Sequence, residues 1–110
     1  MSQEYTPDRT HIVWLQFSPQ AGHEQTGKRP ALVMSPRAYN QKTGLMLACP
    51  ISSKVKGYPF EVAVRGKKIQ GVVLSDQIKC LDWKARDAAY VEKAREEVYR
   101  EVQAKILLLE

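Results

Sequence analysis

Residues 22–36 read GHEQTGKRPALVMSP and join a charged loop to an apolar segment. The first nine residues contain two glycines, a proline and the charged side chains of Glu24, Lys28 and Arg29, which is typical of a loop and not of a core segment. Residues 31–34 are apolar and are followed by Ser35 and Pro36, which predicts a buried strand that ends at a turn. We therefore expect Glu24 and Arg29 to lie at the edge of a rigid sheet. The alternative interpretation is a solvated hairpin loop with a chance ion pair.

Further apolar runs predict a mainly β fold. Strands are expected at residues 12–17, 45–51, 60–64 and at the start of 71–81, and Trp14 is expected in the core. A polar segment, residues 39–44, separates two of these strands. Five short strands with Gly and Pro turns and without long helices between them predict a small antiparallel sheet or a partly open barrel.

The last quarter of the chain has a different period. Residues 90–108 contain no Gly or Pro, and apolar residues recur at helical spacing: Val91, Ala94, Val98, Val102 and Ile106. The pairs Glu96–Arg100 and Glu101–Lys105 have the favourable acid-then-base order on the opposite side. These features predict an amphipathic C-terminal helix that packs on the sheet or on a partner.

Composition limits the class of protein. The 110 residues suit one domain, residues 1–110, and the net charge of +5 favours a polyanion or an acidic protein as partner. Cys49 and Cys80 lie in apolar segments and are interpreted as buried free thiols, and no Cys/His spacing fits a metal site. We expect a cytoplasmic protein without membrane contact, because the sequence has neither an apolar run long enough to cross a bilayer nor a signal-peptide layout.

A series of motifs covers roughly the first four-fifths of the chain with few gaps. In order they are YTPD (5–8), IVW (12–14), FSP (17–19), GHEQTGKRPA (22–31), LVMSP (32–36), YN (39–40), KTG (42–44), PISS (50–53), KGYPFEV (56–62), GVVLSDQIK (71–79) and LDWKAR (81–86). In these motifs the sequence resembles the MazF/PemK family of ribosome-independent mRNA interferases, the toxins of type II toxin–antitoxin pairs. One departure is Thr10-His11, where many relatives carry Gly-Asp; His11 adds a possible cation there.

The resemblance implies a fold, an activity and partners. The fold would be an SH3-like (PemK/CcdB-like) barrel of five to seven antiparallel strands with a C-terminal α-helix, working as a homodimer. The activity would be sequence-specific cleavage of single-stranded mRNA to a 2′,3′-cyclic phosphate and a 5′-hydroxyl, without metal ion or cofactor, which inhibits translation and growth. A MazE-like antitoxin with an acidic, disordered tail would block it.

The resemblance places Arg29 and Ser52 at the core of the site, with Ser52 where several relatives have Thr. A guanidinium is effectively never deprotonated, so we assign Arg29 to stabilising the charge on the phosphorane, with protonation of the leaving group as second choice. Glu24 is the candidate for an auxiliary base or for orienting Arg29. His23, its neighbour, is expected to point the other way and to contact RNA at the surface.

The remaining candidates are RNA contacts. Asp76 and Gln77 suit base-edge recognition, although Asp76 alternatively caps a turn or pairs with Lys79 or Arg86. Tyr58 suits base stacking, Phe60 is expected in the core, and Trp83 at an interface. Lys67 and Lys68 fit an exposed turn. The lysines interpreted as phosphate contacts are Lys28, Lys54, Lys56 and Lys79.

Two other functions remain open from the sequence. A toxin with the same barrel, resembling CcdB, would act by binding DNA gyrase, but that relative depends on a tryptophan close to its C-terminus, which residues 105–110 lack. A catalytically inactive RNA-binding member of the family is the third possibility.

Overall fold

A curled antiparallel sheet and a C-terminal helix form the framework. The computed structural model describes residues 5–16 and 27–110. Within these residues the strands are β1 (His11–Gln16), β2 (Lys28–Val33), β3 (Leu45–Ser52), β4 (Glu61–Arg65), β5 (Gln70–Leu74), β6 (Lys79–Asp82) and β7 (Ala89–Lys93). The helices are α1 (Arg37–Thr43) and α2 (Glu96–Leu107), and one 3₁₀ turn spans Ser75–Gln77. The predicted mainly β fold with a C-terminal helix is confirmed.

The long strand β3 organises the sheet, whose order is β4-β5-β3-β2-β1-β7. The first half of β3, from Leu45, pairs with β6, and its last two residues, Ile51 and Ser52, pair with Val73 and Val72 of β5. β5, the 3₁₀ turn and β6 therefore run along one side of β3, while β2 lies on its other side. This arrangement accounts for residues 71–81, which begin as an apolar strand and then turn polar.

Both faces of the central strands are buried. Ile12 and Leu32 belong to one apolar cluster with Tyr99 and Val102 of α2, whereas Val13 and Val33 belong to a second cluster on the other face. Adjacent residues of a strand point to opposite faces, so a strand that is covered on both sides has an unbroken apolar sequence. For this reason β1, β2 and β3 were recognisable as strands, although their bounds differ by a few residues from those predicted.

The C-terminal helix is shorter than its periodicity suggested. The prediction of a helix from residue 90 is wrong, because Ala89–Lys93 forms β7 and pairs with β1, and α2 begins at Glu96. Tyr90 and Val91 are residue types that suit a strand as well as a helix. They form a strand here because β7 pairs with the edge of β1. The apolar face of α2 does pack on the core, as predicted, since Val102 is fully buried. The predicted ion pair between Glu96 and Arg100 is present, with a distance of 3.8 Å between Glu96 Oε2 and Arg100 Nε.

The polar segment after β2 forms a helix that the sequence did not reveal. Its residue Asn40 is fully buried and donates to the carbonyl groups of Pro7 and Ser35, while Ser35 Oγ donates to Asn40 Oδ1. Trp83 Nε1–H donates to the Asn40 carbonyl at 2.9 Å. Trp83 is thus buried inside its own chain, and the expectation that an interface covers it is wrong.

The two cysteines occupy different environments. Cys49 is buried in the core, and burial raises the pKa of its thiol to about 12. Cys80 is exposed on β6, so its predicted burial is wrong. The alternation along β6 explains this, because the next residue, Leu81, is the one that faces the core.

The residues before β1 form a turn around His11. Thr10 has a φ of 77°, which lies in the left-handed region that favours glycine. Asp8 N–H donates to His11 Nδ1 at 3.3 Å, so this nitrogen is an acceptor and Tyr5 OH donates to it at 2.7 Å. The rings of Tyr5 and His11 stack. Burial lowers the pKa of His11, and nearby Arg37 and Lys93 lower it further against the opposing effect of Asp8. The lowered pKa disfavours the charged form of His11, which counts against the additional cation that the sequence suggested here.

Protonation of His11 should destabilise the fold. Its pKa is lower in the folded chain than the ordinary histidine value of 6.5, so unfolding takes up a proton as the pH falls below that value. The free energy of unfolding should therefore decrease from about pH 6.5 downward, until the folded state also binds the proton. Urea unfolding at pH 7.5 and 5.5 measures this decrease. His11→Gln, which keeps an acceptor but does not titrate, should show a smaller decrease, and an equal decrease would contradict the assignment.

Candidate active site

A cleft of about 600 Å³ opens where β1, β2, the end of β3 and the β4–β5 turn meet. The strands β1 and β2 contribute Trp14, Arg29 and Pro30 to its lining. The end of β3 and the residues after it contribute Ile51, Ser52, Ser53 and Lys54. The turn contributes Lys68 and Ile69, and Gln70 is the first residue of β5. Arg29 and Ser52, which the sequence singled out separately, thus lie on one cleft.

The guanidinium of Arg29 is available to a ligand. Arg29 is exposed on β2 opposite Leu15, and within residues 5–16 and 27–110 no hydrogen bond or ion pair engages its side chain. Its planar fork suits two parallel hydrogen bonds to the oxygens of a phosphate. Glu24 and His23 lie outside the described residues, so their expected roles stay predictions.

The hydroxyl of Ser52 is held in place by the backbone that follows it. Lys54 N–H donates to Ser52 Oγ at 3.0 Å, a local turn that orients the hydroxyl at the end of β3. Serine, unlike threonine, has no β-branch to restrict its rotamer. This hydrogen bond restricts the side chain instead. The Ser52 hydroxyl itself donates to the Lys54 carbonyl at 3.5 Å, a long hydrogen bond that a phosphate oxygen can replace.

Gly71 brings β5 against the backbone of Ser52. A Cβ added at Gly71 would collide with the Ser52 carbonyl oxygen, and Gly71 has a φ of 155°, which L side chains rarely adopt. Only glycine fits this close approach without displacing the end of β3. Gly71 therefore contributes to the geometry of the cleft without having a side chain.

Gly71→Ala should accordingly destabilise the protein by about 2–4 kcal/mol, from backbone strain and overpacking together. Gly57→Ala is a matched control, because Gly57 has a φ of 82° but nothing within 4 Å of its added Cβ. That control should cost about 1 kcal/mol. Chemical denaturation of both variants measures the difference, and equal losses would show that contact with Ser52 is unimportant.

The cleft is basic and has an aromatic wall. Its described lining carries three cations, Arg29, Lys54 and Lys68, and no carboxylate. Trp14 is 37% exposed and lines the cleft, so the prediction that it belongs to the core is wrong. Trp14 lies between the buried Val13 and Leu15 and therefore points to the opposite face of β1, where the cleft leaves part of its ring open.

A second group of predicted residues lies outside this cleft. Tyr58 OH donates to both carboxylate oxygens of Asp76, at 2.8 and 2.9 Å, and this hydrogen bond raises the pKa of Tyr58. Asp76 therefore bonds to Tyr58, a partner that the sequence did not suggest. Phe60 is half-buried. The other predicted RNA contacts outside the cleft lining are Lys28, Lys56, Gln77 and Lys79.

The structure adds cleft residues that sequence reasoning missed or judged differently. Lys68 does lie in the expected exposed turn, but it also lines the cleft together with Gln70. Ser53 follows Ser52 in a polar segment, a signal that was available in the sequence.

Among the described residues, no group of three or more His, Cys, Asp or Glu side chains is arranged to hold a metal ion. Neither described helix is long and apolar enough to cross a membrane.

Comparison with known proteins identifies the family. Residues 8–109 match the model of the PemK-like, MazF-like toxins of type II toxin–antitoxin systems. The chain belongs to this toxin family. Relatives of similar length are found among the endoribonuclease toxins. The chain is 43% identical to the endoribonuclease toxin MazF of Escherichia coli K12 over 109 residues, which cover 99% of this chain and 98% of the relative.

Solved structures of MazF-like toxins agree with the fold. A crystal structure of MazF from Deinococcus radiodurans has a TM-score of 0.88 and 53% identity, over 96% of this chain and 97% of that one. A MazE–MazF structure from the same organism has a TM-score of 0.86 and 48% identity, over 96% of this chain and 97% of that one. The resemblance inferred from the sequence motifs is therefore confirmed.

Proposed function

We propose that this endoribonuclease toxin cleaves single-stranded RNA in the cleft between Arg29 and Ser52, without a metal ion, leaving a 2′,3′-cyclic phosphate and a 5′-hydroxyl. The observation that supports this proposal is the shared cleft: a guanidinium without a partner among the described residues and an oriented hydroxyl line one basic cavity. The names of its relatives, which are endoribonucleases, point to RNA as the substrate.

The reaction begins when the ribose 2′-oxygen attacks the adjacent phosphorus as its proton is removed. A pentavalent phosphorane forms, the bond to the 5′-oxygen breaks, and that oxygen takes up a proton. Arg29 stabilises the extra negative charge by two hydrogen bonds to the non-bridging oxygens, and Ser52 Oγ donates a third. Glu24 is our candidate for the base or for orienting Arg29.

The walls of the cleft would hold the nucleotides beside the scissile phosphate. Lys54 and Lys68 would contact neighbouring phosphates, and a base would stack on the open part of the Trp14 ring; their position in the cleft lining supports both roles. We retain Asp76 as a base-edge contact, since a carboxylate that accepts from Tyr58 still has free acceptor positions. The remaining proposed contacts to flanking nucleotides, which would set the recognised sequence, are His23, Lys28, Lys56, Tyr58, Gln77 and Lys79.

We propose as partners a second copy of the chain and a MazE-like antitoxin with an acidic, disordered tail, in the cytoplasm where mRNA is present. The Deinococcus relatives have been solved as MazE–MazF complexes, which supports an antitoxin partner. An acidic segment would also be attracted to a chain with a net charge of +5 and to the cations of the cleft. Such a tail would compete with RNA for the same surface.

An assay with purified protein tests the proposal. With EDTA present, the protein should cut single-stranded RNA but not DNA of the same sequence, which lacks the attacking 2′-hydroxyl. The products should end in a cyclic phosphate or a 3′-phosphate, and mapping the ends on a long transcript gives the recognised sequence. Products with a 3′-hydroxyl, or a requirement for added metal, would refute the mechanism. Binding of RNA without cleavage would favour the inactive RNA-binding alternative.

A further inference from the structure

The β4–β5 turn is held by a carboxylate from a distant strand. Glu92 on β7 accepts hydrogen bonds from three consecutive backbone N–H groups: those of Lys67 at 3.0 Å, Lys68 at 2.9 Å and Ile69 at 2.8 Å. Burial tends to raise the pKa of Glu92, but these three donors outweigh it and the pKa is lowered. The carboxylate is therefore bound in its charged form.

Glu92 replaces one of the two backbone hydrogen bonds that usually close such a turn. Gly66 N–H donates to the Ile69 carbonyl at 2.8 Å, as in a two-residue hairpin. The reciprocal donor, Ile69 N–H, bonds to Glu92 instead, and the Gly66 carbonyl accepts from Gln70 Nε2 at 3.3 Å. A Cβ added at Gly66 would collide with the Glu92 carboxylate, so glycine allows the close approach.

This turn carries one wall of the cleft. Lys68, Ile69 and Gln70 all line the cavity that contains Arg29 and Ser52. Lys68 follows Lys67 directly, and two adjacent cations repel each other in a free hairpin. The carboxylate of Glu92 fixes the backbone of Lys68 through these hydrogen bonds. The positive charge of Lys68 also contributes to the lowered pKa of Glu92.

We propose that Glu92 is a positioning residue for RNA binding, which holds the β4–β5 turn so that Lys68 and Gln70 face the cleft. This inference rests on the proposed function. Glu92 acts through the turn and not on the reacting atoms, because Arg29 and Ser52 stand on β2 and β3. Its loss should therefore raise KM and leave kcat nearly unchanged.

The sign of the effect separates positioning from simple electrostatics. Glu92→Gln removes a negative charge from a basic protein, which by charge alone should strengthen RNA binding and lower KM. Loss of the turn geometry should instead raise KM by roughly three- to tenfold. Glu97→Gln is the matched control, since it makes the same charge change on the exposed surface of α2, and its KM should stay the same or fall.

Two further variants test the route of the effect. Gly66→Ala displaces the carboxylate without any change in charge and should raise KM to a similar extent, which keeps the inference testable if Glu92→Gln folds poorly. In a Lys68→Ala background, Glu92→Gln should have a smaller effect on KM, because one of the two side chains that it positions is absent.

Steady-state RNA cleavage by these variants decides the question. A raised KM for Glu92→Gln and Gly66→Ala, reduced in the Lys68→Ala background, supports the inference. Unchanged KM in both variants, with normal cleavage by the wild type and Glu97→Gln, overturns the role of Glu92 alone. A wild type that cuts no RNA would overturn the proposed function, and the inference with it.

Discussion

Replacing Arg29 with alanine should lower kcat for RNA cleavage by about 10²–10³-fold, the loss typical of one donor to a developing oxyanion. The side chain is exposed and makes no hydrogen bond or ion pair within the described residues, so its removal should leave the fold intact. Single-turnover cleavage of a short RNA measures the chemical step, and a thermal melt checks the fold. Activity equal to the wild type would overturn the assignment.

Two control variants separate the geometry of Arg29 from its charge. Arg29→Lys keeps the charge but lacks the planar fork, and we expect it to recover only part of the lost rate. Lys28→Ala removes a neighbouring exposed cation that lies outside the lining of the cleft. It should weaken binding at low salt and leave kcat close to the wild-type value.

A single 2′-deoxy substitution in the RNA, at the nucleotide that carries the scissile phosphate, should abolish cleavage at that bond. The proposed reaction uses this 2′-oxygen as nucleophile, so no other group can form the cyclic phosphate. Binding should change little, because the phosphates that meet Arg29, Lys54 and Lys68 are retained. The substituted RNA should therefore act as a competitive inhibitor, which inhibition kinetics measure.

The matched control is the same substitution one nucleotide further along the RNA. It should reduce the rate only as far as that 2′-hydroxyl contributes to recognition. Continued cleavage at the substituted bond would show that water or another nucleophile attacks the phosphorus. That result would remove the chemical basis for assigning a 2′,3′-cyclic product to this toxin.

Much of the sheet could be predicted because burial on both faces leaves a clear signal. β2 and β3 are apolar over most of their length, since their alternate residues enter two different clusters. β7 was missed because its residues Tyr90 and Val91 fit two periods, and only pairing with β1 makes them a strand. α1 was missed because one buried residue, Asn40, supplies its main tertiary contacts.

Exposure at the edges of the sheet could not be predicted from residue type. Trp14 and Cys80 are apolar residues in strands, yet both are exposed because their face of the sheet is not fully covered at those positions. Trp83 was expected at an interface, but the carbonyl of Asn40, far away in the sequence, satisfies its indole N–H inside the chain. Such partners depend on tertiary structure.

The residues of the candidate site also fall into two groups, those predicted from the sequence and those that only the tertiary structure reveals. Arg29, Ser52 and Lys54 were predicted, the first two by resemblance to the family, and they share the cleft. Lys68 and Gln70 reach it only because the β4–β5 turn folds back, and Glu92 holds that turn across a gap of more than twenty residues. Glu92 lies in residues 90–108, which the periodicity assigned to a helix, so its contact with the turn was not predicted.

The most direct test of the account is a crystal structure of the toxin with an uncleavable RNA that carries the 2′-deoxy substitution at the scissile position. We predict that one phosphate lies in the cleft, with both the Arg29 guanidinium and Ser52 Oγ about 2.7–3.2 Å from its non-bridging oxygens. A scissile phosphate bound elsewhere, or one that contacts only one of these two side chains, would contradict the account.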